Sequence, residues 1–227
     1  DTMLIKTSRR EDSRVGRNAH VDVASGKFNK DPYDDAVSVW RTTQSTQRIE
    51  IMISHFDTTK FFTNSTAITL DVGEEIRINE QLYVRTGNFD SDSTDEFLIA
   101  FRDASDSVIF YSYDVDSTLQ VAPVKRFSNS KVGGSSLTNF VKYFIETADL
   151  NSDGVDELIS YTWETGVTTT YVPIVIRIYA FENSNIVPKG TTVIEVPFVS
   201  QGTVLQAFVM GSARGQFDSD ESDELVF

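Results

Sequence analysis

Apolar residues fall along this chain in short runs with the length and composition of β-strands. Ile49–Ser54, Val108–Tyr113 and Ile174–Phe181 are rich in β-branched and aromatic side chains, and Thr191–Phe198 is a further candidate. Phe140–Ile145 has the same character. Turn-forming groups at Asn183–Asn185, Pro188–Gly190 and Val132–Gly134 fall between the runs. No stretch joins helix caps to apolar positions three and four apart. The pattern therefore predicts an all-β chain.

Four further apolar runs begin at Ala36, Phe97, Leu158 and Leu225, and each follows an acidic segment of one design. The segments are Gly26–Asp35, Gly87–Glu96, Ala148–Glu157 and Gly215–Glu224. Their starts, near 26, 87, 148 and 215, lie 61, 61 and 67 residues apart, which defines a repeat. One interval holds about four strands, the size of a β-propeller blade. In that geometry the acidic loop joins the first two strands of a blade. The run after it enters a strand buried on both faces between neighbouring blades. Only 25 residues precede the first loop and three follow the fourth, so a closed four-bladed ring is short of strands. Residues 1–227 are expected to form one segment, three to four blades of a larger ring of about seven. Missing sequence or another chain would supply the rest.

Composition narrows the function classes. The net charge of −14 disfavours a nucleic-acid binder, which needs a basic face, and adhesion to anionic lipid. No run of 18 apolar residues is present, so membrane insertion is not expected. Asp1–Lys6 lacks the apolar stretch of a signal peptide, so a signal is expected to have been removed or the chain to be a fragment. Cysteine is absent, which removes disulfides and thiol chemistry. The four loops hold 16 of the 34 acidic residues, a repulsive concentration. Such loops are either solvated acidic turns or cages around a divalent cation.

The oxygen spacing favours the cage. Counting from the residue after the Gly or Ala, the third loop has Asp149, Asn151 and Asp153 at positions 1, 3 and 5. Gly154 permits a sharp turn, Val155 offers its carbonyl, and Glu157 at position 9 closes the ring. Calcium takes six to eight such oxygens, whereas magnesium prefers rigid octahedral sites that keep water. An EF-hand is disfavoured, because position 12 is Ser160 and the flanks read as strands. The matching residues are Asn88, Asp90, Asp92, Thr94 and Glu96 in the second loop, and Gln216, Asp218, Asp220, Ser222 and Glu224 in the fourth. The alternative in each case is an Asx-rich turn without metal. The acid at position 8 (Asp34, Asp95, Asp156, Asp223) reads as a brace or an acceptor behind the ligands, with direct ligation as the alternative.

These loops resemble the FG-GAP or VCBS repeats of integrin-α-like β-propellers, whose pattern is close to Gly-Asp-Phe-Asp/Asn-x-Asp-Gly-x-x-Asp. The third loop matches through Asp149–Glu157. The second departs at Asn88 and Ser93, and the fourth at Gln216 and Glu221. The first departs most, with Lys27 at position 1 and Pro32 at position 6. Its ammonium either takes the metal's place, beside Asn29, Asp31 and Asp35, or points to solvent. The resemblance implies structural Ca²⁺ in the blade loops and a non-catalytic recognition or adhesion module, extracellular or at the cell surface. The partner would be a protein or a carbohydrate. A scaffold propeller in a larger toxin or surface assembly, or the non-catalytic part of a polysaccharide-active enzyme, are the alternatives.

No catalytic group stands out. Paired carboxylates could serve a glycosidase, but here they recur in every repeat, where metal ligands are expected. His20 and His55 lie in no nucleophile or metal-ligand motif. Asn64–Thr66 fits a glycosylation sequon, a short motif that matters only in a eukaryotic secretory setting.

Overall fold

The computed structural model describes residues 21–41, 48–57, 61–71, 76, 82–103, 108–115, 121–129, 140–164, 171–182, 185–197, 213–218 and 222–226. Among them are fourteen strands and no helix, so the chain is all-β. The first antiparallel sheet is β1 (Val21–Gly26), β2 (Asp35–Arg41), β3 (Arg48–Asp57) and β4 (Phe61–Asp71), paired in chain order. The second is β5 (Tyr83–Gly87), β6 (Glu96–Arg102), β7 (Val108–Val115) and β8 (Val121–Asn129). The third is β9 (Phe140–Ala148), β10 (Glu157–Glu164), β11 (Tyr171–Glu182) and β12 (Asn185–Pro197). β13 (Ala213–Gly215) and β14 (Glu224–Val226) form a two-stranded ribbon. Each acidic loop connects the first strand of its sheet to the second. The candidate runs at 49–54, 108–113, 140–145 and 174–181 all lie in strands.

The sheets stack face to face, with β1 against β5, β5 against β9 and β9 against β13. Strand alternation explains how one sheet serves two interfaces. Along β6, Phe97, Ile99 and Phe101 enter a core shared with Val37, Val39, Ile51 and Ile53 of the first sheet. Leu98 and Ala100, between them in sequence, enter a second core with Tyr143, Ile145 and Leu158 of the third. All seven residues of β6 are therefore buried, as expected for the strand that follows an acidic loop. Ile159, Tyr161, Ile174 and Ile176 form a third core on the far side of the third sheet.

One turn reading is corrected. Pro188–Gly190 lies within β12, where the pairing with β11 slips between Ile178 and Tyr179. Gly190 faces Ile178 and Pro188 faces Tyr179, which leaves Lys189 as the extra residue of a bulge. Proline and glycine are tolerated there because β12 is the outer strand and a bulge needs fewer ladder bonds. The group at 132–134 lies outside the described residues, and Asn64–Thr66 falls in β4.

Candidate metal centre

The second loop turns tightly because its short polar side chains hold its own backbone. Asn88 Oδ1 accepts the Ser91 N–H at 2.8 Å, and Asn88 Nδ2 donates to the Asp92 carbonyl at 2.9 Å. Asp92 Oδ1 accepts the Thr94 N–H at 2.6 Å and the Thr94 hydroxyl at 2.8 Å. Ser91 sits at φ 66°, a left-handed conformation that such local bonds support. The turn brings carboxylate oxygens of Asp90, Asp92 and Glu96 to within 4.8 Å of one another.

Glu96 is the unusual member. It is 3% exposed, and its Oε2 accepts the Phe89 N–H at 2.6 Å. Its Oε1 is buried without a hydrogen-bond partner. Burial pushes the carboxyl up to about 8, against the pull of the Phe89 N–H, and the charges of Asp90, Asp92 and Asp114 add to the rise. A buried carboxylate oxygen facing two more acids is costly unless a cation compensates it. Two oxygens on a calcium shell of about 2.4 Å radius lie at most about 4.8 Å apart, so the group fits a hard cation. Of the five expected ligands in this loop, the fold thus gathers Asp90, Asp92 and Glu96. The Asn88 oxygen goes to the backbone instead, and Thr94 meets Asp92 through its own donors.

The third loop matches the family pattern best, yet it closes on itself. Asn151 Nδ2 donates to Glu157 Oε1 at 2.5 Å, while Glu157 Oε2 accepts the Leu150 N–H at 2.9 Å. Asp149 receives the Asp153 and Gly154 N–H groups at 3.2 and 2.9 Å, and Asp153 Oδ1 receives the Val155 N–H at 2.9 Å. Position 3 makes the difference. An amide there supplies the donor for the closing glutamate, whereas Asp90 has none to give. Burial also raises the Glu157 carboxyl, with the Leu150 N–H opposing it. In the fourth loop Glu224 Oε2 accepts the Phe217 N–H at 2.6 Å, and position 3 is again an acid, Asp218. Asp220 lies outside the described residues. Gln216, Asp218 and Ser222 are described, and Ser222 Oγ lies 2.8 Å from Ser152 Oγ of the third loop.

Position 8 turns out to link loops rather than brace its own. Asp95 Oδ2 accepts the Lys27 N–H at 2.7 Å, while the Asp95 N–H donates to the Lys27 carbonyl at 2.8 Å. Asp156 repeats both bonds with Asn88, at 2.9 and 2.8 Å. Burial raises the Asp156 carboxyl, opposed by Arg214 and the Asn88 N–H. The residue before each loop adds a rung. Thr86 Oγ1 donates to the Ser25 carbonyl, Thr147 Oγ1 to the Thr86 carbonyl at 2.7 Å, and Arg214 Nη1 to the Thr147 carbonyl at 3.1 Å. A polar residue recurs before every loop (Ser25, Thr86, Thr147, Arg214), and that was the signal available in the sequence. Asp34, in the first loop, is exposed.

This clamp explains the glycine that opens the first and second loops, two of the three that begin with glycine. A Cβ on Gly87 would lie 2.4 Å from Asp156 Oδ2 and 2.9 Å from Phe89 Cε1. Where Ala148 takes the glycine's place, the backbone bond from the Asp223 N–H to the Asp149 carbonyl is kept at 2.8 Å. Gly87→Ala is expected to cost about 1–3 kcal/mol in urea unfolding, the range for overpacking. A midpoint unchanged from the natural protein would contradict the clamp.

In the first loop Lys27 is exposed. The imidazole of His55 meets the carboxylates: Nδ1 lies 2.8 Å from Asp35 Oδ1, and Nε2 lies 3.5 Å from Asp31 Oδ2. Nothing in the local sequence shows this, because His55 comes from β3, twenty residues beyond Asp35.

No protein-family model, curated protein or solved structure matches the chain. Among the described residues, no helix is long and apolar enough to cross a membrane.

Proposed function

We propose that the chain is a segment of a β-propeller whose blade loops take structural Ca²⁺, and that it serves as a non-catalytic recognition or adhesion module outside the cell. One observation carries the metal reading: the buried, unpartnered Glu96 Oε1 beside Asp90 and Asp92. Calcium there would be structural. It offsets the repulsion of three carboxylates and adds stability by binding only the folded loop. Asp90, Asp92 and Glu96 would hold it, with Asp218 and Glu224 in the corresponding places of the fourth loop. Sites of modest charge and rigidity fill at about millimolar calcium, which suits an extracellular setting and a protein or carbohydrate partner.

The propeller reading rests on the four-stranded sheets in chain order, the side-by-side first strands and the loops at corresponding places. A scaffold role within a larger assembly is the second reading, favoured by the outer face of the first sheet. Val84 of β5 and Leu82 just before it are buried against the first sheet. Their counterparts 61 residues earlier, Val21 and Val23, are 48% and 57% exposed. A further blade seated on this face would complete the junction.

The test is thermal unfolding in millimolar calcium and in excess chelator, for the natural protein and Asp92→Ala. A calcium-dependent rise in Tm that the substitution reduces is the expected result. Equal melting in calcium and chelator would remove the metal, and with it the extracellular argument.

A further inference from the structure

Every junction between sheets is made in one direction, with the later sheet reaching back. Its first strand stacks on the first strand before it. Its position-8 aspartate takes the position-1 N–H of the loop behind, Asp95 at Lys27 and Asp156 at Asn88. The residue that precedes its loop donates to the carbonyl at the same place in the sheet behind, as Thr86 does to Ser25 and Thr147 to Thr86. The earlier loop gains cover for its aromatic at position 2. Phe28 is buried edge-on to Phe97 of the second sheet, and Phe89 is buried in the core shared with Leu158 of the third.

Two surfaces of the chain each carry one half of such a junction. The first sheet presents the half that reaches back. Asp34, at position 8, is exposed and has no partner among the described residues. Ser25, before the loop, is exposed as well, as are Val21 and Val23 on the same side of β1. That side points away from the second sheet, because Asp22, on the other side, accepts the Val84 N–H and Arg85 Nη1. The fourth loop presents the half that is reached. Gln216, at position 1, is exposed, and so is Phe217 at position 2, where Phe28 and Phe89 are covered.

We propose that these two surfaces bind each other between copies of this chain, the first sheet of one copy seated head to tail on the fourth loop of a second. This deepens the scaffold reading, on which it rests, by naming what covers the first sheet. The internal junctions supply the fit, since the step that seats the second sheet on the first and the third on the second would seat a first sheet on a fourth loop. Asp34 would then clamp the backbone of the partner's Gln216, and Ser25 would donate to the carbonyl of the partner's Arg214. Val21 and Val23 would close over the partner's Phe217, as Leu82 and Val84 share a core with Phe28. The contact joins unlike surfaces, so it builds a ring or an open series rather than a two-fold pair. In the dilute, unassociated chain Phe217 stays exposed.

Sedimentation velocity of the full chain over a range of concentrations tests this, in millimolar calcium so that an unfilled loop cannot mimic a missing surface. The natural protein is expected to gain mass as its concentration rises. Asp34→Ala and Phe217→Lys are each expected to weaken association about tenfold or more, the order of one charge-assisted hydrogen bond or one covered aromatic ring. Asp34→Ala damages only the front surface and Phe217→Lys only the back. An equimolar mixture therefore keeps one natural junction and is expected to associate more tightly than either variant alone. A chain that stays monomeric at millimolar concentration overturns the second copy as occupant, but not the scaffold reading, which a different chain on the first sheet would satisfy. Association that neither substitution weakens overturns the proposal. So does a mixture that recovers nothing, the result a symmetric front-to-front pair would give. Both residues are exposed, so both variants are expected to fold; should Phe217→Lys not fold, Phe217→Ala takes its place in the mixture.

Discussion

Glu96→Gln is expected to stabilise the metal-free protein at pH 8 and to remove most of its calcium response. Burial holds the Glu96 carboxyl at about 8 in the folded chain, against 4.5 for the ordinary group. A carboxyl raised in this way contributes stability that is fully present below pH 4.5 and is lost as the pH rises through 8. The loss is on the order of a few kcal/mol for a shift of this size. Glutamine has nearly the same shape and can still accept the Phe89 N–H, but it has no charge to strand. In chelator, the natural protein should therefore lose stability between pH 4.5 and 8, and the variant should lose less. Some slope will remain, because burial also raises Asp156 and Glu157. Under the proposed calcium reading the order should reverse in calcium, since an ion there would favour the carboxylate and gain little from an amide. Unfolding across this pH range, with and without calcium, measures both effects. Identical pH slopes for the two proteins in chelator would sink the account of Glu96.

Phe28→Ala and Phe217→Ala change the same loop position and should differ severalfold. Phe28 is fully buried in the core between the first two sheets, edge-on to Phe97 at 6.1 Å. Removing it is expected to cost about 3–5 kcal/mol, the range for a large aromatic cut from a core. Phe217, in the fourth loop, is 61% exposed, so its removal is expected to stay within about 0.5 kcal/mol. Urea midpoints of the two variants check the pair. A large loss from Phe217→Ala would mean that the Phe217 ring is covered in solution, against its 61% exposure.

The elements were legible because burial on a strand leaves a local record. Runs such as Ile174–Phe181 carry β-branched and aromatic residues whether or not the partner sheet is known, and the acid that closes each loop stands at a fixed offset. What could not be read is which group satisfies which oxygen. Glu157 is compensated by Asn151 and Glu96 is not, although the third loop follows the family pattern more closely. A single change of amide to acid at position 3 outweighs that likeness, because it decides whether a donor reaches the closing carboxylate. His55 escaped notice for a different reason. It belongs to the loop in space and to β3 in sequence, and the irregular pairing that aims it leaves no mark on local composition. The position-8 acids hide their role likewise, since Asp95 and Asp156 meet partners 68 residues earlier.

That offset bears on how such a chain is made and how it changes length. The first and second loops each receive an aspartate clamp from the following acidic loop, so while the chain is synthesised each waits for 68 more residues before that clamp can close. Order is then handed down the chain from each new sheet to the loop behind it. A deletion that removes a single sheet strands the loop before it, whereas gain or loss of one whole period hands the same clamp to the same kind of neighbour. The heritable unit of this array is thus the stretch from one clamp to the next, and its ends need not coincide with the edges of a sheet.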